Sequence, residues 1–336
     1  MRKFLSLLAL TLLFTSCQNE HKQDAVDSTP VDIRLCVTAQ DIITRDENVA
    51  TGYSSALGAI ENFNDADWAK YDLRYTFEVY TADDNGSGAP IANSRQVKTI
   101  NKYNPEKEVY FNVNLKPNKT YKFVVFADFV NEGENSDLYY NVSDLRDITA
   151  IDGKMNPMDE ARDAYFATEE IAITTHLEKS IYLKRPFGKL RVVTTDYEYI
   201  ESYADPAKAK VTYYNCEVFK SLNAVNGKIS TARTEEELTF EYNLAKDGLY
   251  TAGADAESGN MTLFADYVLA PRSGQDEVNF KLTVWDANGK EIKSNDFDSP
   301  IPIERNHLTT ITGNLLTTKT NIKVNIDHEL QEGETL

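Results

Sequence analysis

The sequence predicts an all-β protein: two tandem antiparallel β-sandwich domains with a few short helices. Short runs in which apolar and polar residues alternate recur along the chain, the period of a strand with one buried and one solvated face. Asn-Gly, Pro and Gly signals separate these runs. Finally, 336 residues are more than one hydrophobic core usually serves, and 41% hydrophobic content with 19 Tyr and 15 Phe is enough to fill two.

The first element is not part of either sandwich. Arg2 and Lys3 precede an apolar run from Phe4 to Phe14, the pattern of a secretory signal. Roughly 20 apolar residues are needed to cross a bilayer, so the run is too short to span one. Leu13-Phe14-Thr15-Ser16-Cys17 resembles a bacterial lipobox, although Phe14 is bulkier than the usual residue there. Residues 1–16 then form a lipoprotein signal peptide, and Cys17 is acylated as the first mature residue. An ordinary cleaved signal is the alternative, but no small-x-small site competes with Cys17. Several acyl chains, each contributing about 0.8 kcal/mol per buried methylene, hold a protein stably at a membrane surface. Residues 17–30, with almost no large apolar side chain, read as a flexible tether.

The first strand is Val31 to Thr38, with Val31, Ile33, Leu35 and Val37 on one face. A short helix is expected in YSSALGAIENF, followed by a strand in which Leu73, Tyr75, Phe77 and Val79 alternate with polar residues. KEVYFNVNLKPNKTYKFVVFADF reads as a hairpin that turns at Lys116 to Lys119. A second short helix is expected in PMDEARDAYF. New strands begin at SIYLKRPFGKLRVVTTD, where Pro186 and Gly188 break one long run. VTYYNCEVFKSLNAVNGKIS, MTLFADYVLAP, VNFKLTVWDANGKEI, HLTTITGNLLT and NIKVNIDHEL follow as strand patterns. A boundary near Leu177 to Ser180 divides the chain into an N-terminal domain, 31–180, and a C-terminal domain, 181–336.

Chemistry is sparse along this chain. The formal charge is −18, and removal of Arg2 and Lys3 with the signal makes it two units more negative, which excludes nucleic acid as a partner. After Cys17, only Cys36 and Cys216 remain, so disulfides do not scaffold the fold. The stretch from Asp83 to Gly88 matches the opening of a calcium loop, but its twelfth position is Ser94 and its flanks are strands, so it reads as a plain hairpin loop. His21, His176, His307 and His328 are isolated in sequence, and no metal or cofactor motif follows from them. No nucleophile elbow or phosphate-cradling loop is present, so the chain reads as a non-enzyme. Trp68 and Trp285 are the candidate aromatics for stacking on glycans. Trp285 falls out of phase with Phe280, Leu282 and Val284, which puts it on the opposite face of its strand.

The lipobox and tether, FNVNLKPNKTYKFVVFADF with its late aspartate, YLKRPFGKLRVV and IPIERNHLTTITGNLLT together resemble the fimbrillin superfamily of Bacteroidota. That group includes type V pilins, their lipid-anchored relatives and uncharacterised Bacteroides surface lipoproteins. The resemblance implies transthyretin-like sandwich domains, no catalytic centre, and a role as a pilus anchor, minor pilus subunit or adhesin. Its implied partners are other pilus subunits, joined by strand addition, and glycans or a host surface. In type V pilins a cut after an arginine removes the first strand and opens a groove for a neighbour's strand. Arg45, just behind strand 31–38, is positioned like that arginine, and NIKVNIDHEL has the alternation of a donor strand. An arginine in an ordinary loop and a last strand paired within its own domain are the plainer readings. A glycan-binding lipoprotein of a nutrient uptake system is the alternative function.

Overall fold

A computed structural model describes residues 29–38, 69–83, 85–101, 108–201, 204–218, 220–231, 237–244, 260–271, 276–318 and 320–327. The strands are β1 (Val31–Thr38), β2 (Tyr71–Thr81), β3 (Gln96–Asn101), β4 (Glu108–Leu115), β5 (Lys119–Asn131), β6 (Tyr140–Asn141), β7 (Ile148–Ala150), β8 (Ala164–Ile173), β9 (Leu177–Tyr182) and β10 (Phe187–Thr194). After one short helix, α1 (Tyr197–Glu201), come β11 (Pro206–Tyr214), β12 (Lys220–Asn223), β13 (Lys228–Thr231), β14 (Glu237–Asn243), β15 (Met261–Leu269), β16 (Asp276–Asp286), β17 (Glu291–Ile303), β18 (Leu308–Asn314) and β19 (Thr320–Asp327).

Four sheets form two sandwiches. In the first, the order β4-β1-β9 faces β3-β2-β5-β8; in the second, β15-β10-β18-β19 faces β14-β11-β16-β17. Alternation in sequence fills both cores. Phe77 on β2 stacks at 4.8 Å on Phe111 of the opposite sheet, and Phe264 on β15 meets Phe280 on β16 at 5.5 Å. The chain is therefore all-β, as its patterning predicts.

A fifth sheet draws on both halves. Its order is β13-β12-β7-β6, with Leu222 on β12 opposite Ile148 on β7. Around it, Asn223 and Asn226 donate to the carbonyls of Gly86 and Asn85, at 2.8 and 2.6 Å. Arg146 donates to the carbonyls of Ser87 and Gly88. The 83–88 loop thus spends these carbonyls on docking to other parts of the chain. Gly86, at φ +92°, has no room for a side chain, because a Cβ would lie 2.5 Å from the Asn223 amide.

Several sequence expectations are corrected by this arrangement. Residues 108–131 do not form a hairpin: β4 pairs with β1, whereas β5 pairs with β2 and β8 in the facing sheet. The turn at Lys116–Lys119, with Asn118 at φ +59°, is an arch between sheets. Turn chemistry reads the same in either case, and only the stacking of Phe111 against Phe77 across the core distinguishes them. PMDEARDAYF yields a single 3-10 turn, Glu160–Arg162, before β8 begins. Gly188 does not break a strand but lies inside β10, where a Cβ would meet the Glu304 carbonyl oxygen at 2.5 Å. The helix expected in YSSALGAIENF lies outside the described residues.

The expected solvated faces are also missing from β2, β5 and β10, which are buried on both sides. Burial of a charge is costly unless it is paired and hydrogen-bonded. On β2 and β5 the pairing is supplied by Arg74, whose fork takes both carboxylate oxygens of Asp128 at 2.9 and 2.7 Å and also reaches Asp137. Burial nevertheless pushes the Asp128 carboxyl up to about 6 from its usual 3.8, against the pull of Arg74. A raised carboxyl pKa means that the folded state binds the proton more tightly than the unfolded one, so the contribution is complete below the ordinary carboxylate range and lost as pH climbs through about 6. Urea titrations across this window are expected to show wild type gaining stability relative to Asp128→Asn as pH falls; a flat or opposite difference contradicts the assignment.

Candidate functional site: the first-strand slot and the junction beneath it

β1, the first of the described strands, occupies the middle of its sheet. It runs antiparallel to β4, from Val31 opposite Leu115 to Thr38 opposite Glu108, and parallel to β9, from Ile33 beside Leu177 to Thr38 beside Tyr182. Ile33, Leu35 and Val37 project into the core and are almost wholly buried, with Leu35 directly across from Phe111. On the outer face Arg34 lies 4.1 Å over the Tyr110 ring and 3.6 Å from Glu178, an exposed ion pair of little energetic weight. Without β1, β4 and β9 would face each other across two strand spacings, about 9.5 Å, each with an open ladder edge over an apolar floor. That gap has the width of one strand.

The outer edge of β4 is closed by side chains. Gln96 and Lys98, on β3 of the facing sheet, donate to the carbonyls of Asn112 and Tyr110 at 2.8 and 2.5 Å. Strand addition on that side of the sheet is blocked, so the β1 position is the slot suited to an extended segment there.

A buried ionic junction lies between the sandwiches. Arg162, in the 3-10 turn, contacts Asp266 on β15 at 2.5 Å, and Asp266 also accepts from Tyr213 on β11 at 2.7 Å. Burial works to lower the Arg162 pKa, but the Asp266 carboxylate overcomes it and the guanidinium is held above its usual value. Arg185 grips Asp163 at 2.8 Å and reaches the Tyr165 hydroxyl, which itself donates to Asp163. Burial pushes the Asp163 carboxyl up. Rings of Phe126, Tyr140, Phe187 and Tyr267 form a continuous chain across the junction, with centroids 5.8 to 6.0 Å apart. The cavity beside Arg162, Lys220 and Asp266 measures about 20 Å³. It has room for a water, not for a substrate.

Of the residues singled out by sequence, Cys17, Arg45 and Trp68 lie outside the described residues. Trp285 is half-buried on the outer face of β16, beside Lys208 on β11, with the Lys210 ammonium 5.6 Å from its ring centroid. Cys36 is buried on β1, and Cys216 lies half-buried behind β11. Arg74, Asp128, Arg162, Asp163, Arg185 and Asp266 were not anticipated. A repeat could have exposed two of them: Phe126-Ala127-Asp128-Phe129 and Phe264-Ala265-Asp266-Tyr267 each place one aspartate within an apolar strand, and each aspartate binds a buried arginine.

A family model described as a family of unknown function, DUF6562, matches residues 27–335. The chain belongs to that family. No curated protein matches this DUF6562 member. Among solved structures it is similar to the fimbrial anchor protein Mfa2 from Porphyromonas gingivalis, at 13% identity over 89% of this chain and 97% of that one, with a TM-score of 0.44. A fimbrial assembly protein from Parabacteroides distasonis is 14% identical over 90% of this chain and 100% of that one, with a TM-score of 0.36.

Removing one partner of a buried ion pair strands the other charge, typically at a cost of about 3–5 kcal/mol. Arg162→Met is expected to lose stability on that scale in denaturant unfolding. The double change Arg162→Met with Asp266→Asn, which removes the stranded charge and keeps an acceptor for Tyr213, is expected to recover a measurable part.

Proposed function

We propose that this chain is a lipid-anchored, fimbrillin-like protein of the outer-membrane surface, serving as a pilus anchor, minor pilus subunit or adhesin without catalysis. In this reading Cys17 carries the lipid, residues 18–30 lift the folded part from the membrane, and the chain divides into two sandwich domains behind β9, which pairs with β1 of the first sandwich, a few residues past the boundary suggested by sequence. No helix among the described residues is long and apolar enough to cross a membrane, so a lipid on Cys17 is the attachment proposed.

The observation that carries the reading is the position of β1. It follows the tether directly, and it is tied on both edges and sealed by Ile33, Leu35 and Val37. With β1 retained, a pull on the lipid is borne along two ladders at once, as a permanent anchor requires. After a cut behind Arg45, the same position becomes a groove that accepts a strand from another subunit. The buried ion pairs support a binding role over catalysis, since Asp128, Asp163 and Asp266 are each committed to an arginine below the surface. The glycan-binding alternative draws less support, because Lys210 lies over the ring of half-buried Trp285.

Intact mass and N-terminal sequencing of the protein from native membranes test this reading. An acylated Cys17 on the otherwise uncut chain is expected for an anchor; a free terminus at Asp46 identifies a strand acceptor. A chain without lipid that retains residues 18–45 contradicts both forms.

A further inference from the structure

β19 is an edge strand that packs against little besides its neighbour. Among the described strands it pairs with β18 alone, and Asn321 to Asn325 are exposed in an unbroken run. Its direction is set by register: Val324 lies opposite Ile311, which lies beside the core residue Val192 on β10. Ile322, Val324 and Ile326 therefore share the core-facing side of their sheet. The facing sheet leaves them uncovered, with Ile322 38% and Val324 42% exposed. Such a strand presents both an open main-chain ladder and an apolar row, the combination that templates another strand.

Two other edges lack this combination. β4 is capped by Gln96 and Lys98, and β17, the edge of the facing sheet, contains Pro300 and Pro302. Proline has no amide proton for a ladder. β19 contains no proline.

We propose that β19 pairs with β19 of a second copy, antiparallel and about a two-fold axis at Val324, to form a dimer through a continuous intermolecular sheet. The spacing Ile322-Lys323-Val324-Asn325-Ile326 is self-complementary about its centre. In that register Ile322 meets Ile326 of the partner copy, Val324 meets Val324, and Lys323 meets Asn325, so all three apolar positions are matched in one isologous contact. A shift of one residue in the centre, to Lys323, would set the two ammonium groups against each other and is disfavoured. One strand pair buries little area, so the dimer belongs with weak interfaces and forms at high local concentration. This surface is separate from the β1 slot and does not depend on the function proposed above.

Sedimentation of the mature chain over micromolar to near-millimolar concentration tests it, using Val324→Lys and Val324→Glu. Wild type is expected to move from monomer to dimer as concentration rises. Each variant alone places like charges opposite each other and should remain monomeric, while an equimolar mixture should recover the dimer through Lys–Glu pairing, which also shows that both variants are folded. Three results would overturn the proposal: wild type monomeric throughout, either variant alone dimerising like wild type, or a mixture that stays monomeric. The first would mean that another segment or a different partner covers this edge, and the second that the chain associates through another face.

Discussion

The constraint on which the first sandwich depends is that β1, the first of the described strands, must be the middle strand of its sheet. β1 cannot be satisfied locally. Its partners, residues 108–115 and 177–182, lie far along the sequence, so the sheet closes only after β2 to β9 have been placed. Closing such long loops costs entropy before any contact repays it, and the return comes all at once as two ladders form and Ile33, Leu35 and Val37 leave water. That makes β1 a late and cooperative part of the core. Its loss would leave a strand-shaped gap between β4 and β9.

The second sandwich is held to the first through polar groups as well as through ring contacts. Arg162 reaches across to Asp266, which also accepts from Tyr213, and β12 and β13 complete a sheet with β6 and β7. Buried ion pairs contribute less net stability than their geometry suggests, because both charges have been taken out of water. What they do impose is position. Few other placements of the junction would satisfy Arg162, Asp163, Arg185 and Asp266 together. A load or a binding event at one sandwich is thus met by a joint held at several points.

Sequence patterning reveals some of this fold and conceals the rest for identifiable reasons. The alternation of Ile33, Leu35 and Val37, and of Phe280, Leu282 and Val284, is visible because one face of each strand is far more apolar than the other. β2, β5 and β10 are harder to read, since Arg74, Glu78, Asp128 and Lys189 look like solvent-facing residues and are in fact buried. The arch at Lys116–Lys119 misleads because a turn specifies a change of direction and not the sheet to which the chain returns. Motif reading suggests Cys17 and Arg45 from a few adjacent residues. The slot could not be read in that way, because its walls are brought together only by non-local pairing.

The most direct test of β1 as a full member of the first core is amide hydrogen exchange, comparing residues 31–38 with residues 121–130 of the central strand β5. If β1 is locked by both ladders, its amides exchange only with global unfolding, as slowly as those of β5. Exchange of residues 31–38 that is orders of magnitude faster, while β5 stays protected, would show a strand that leaves the sheet on its own and would contradict the account.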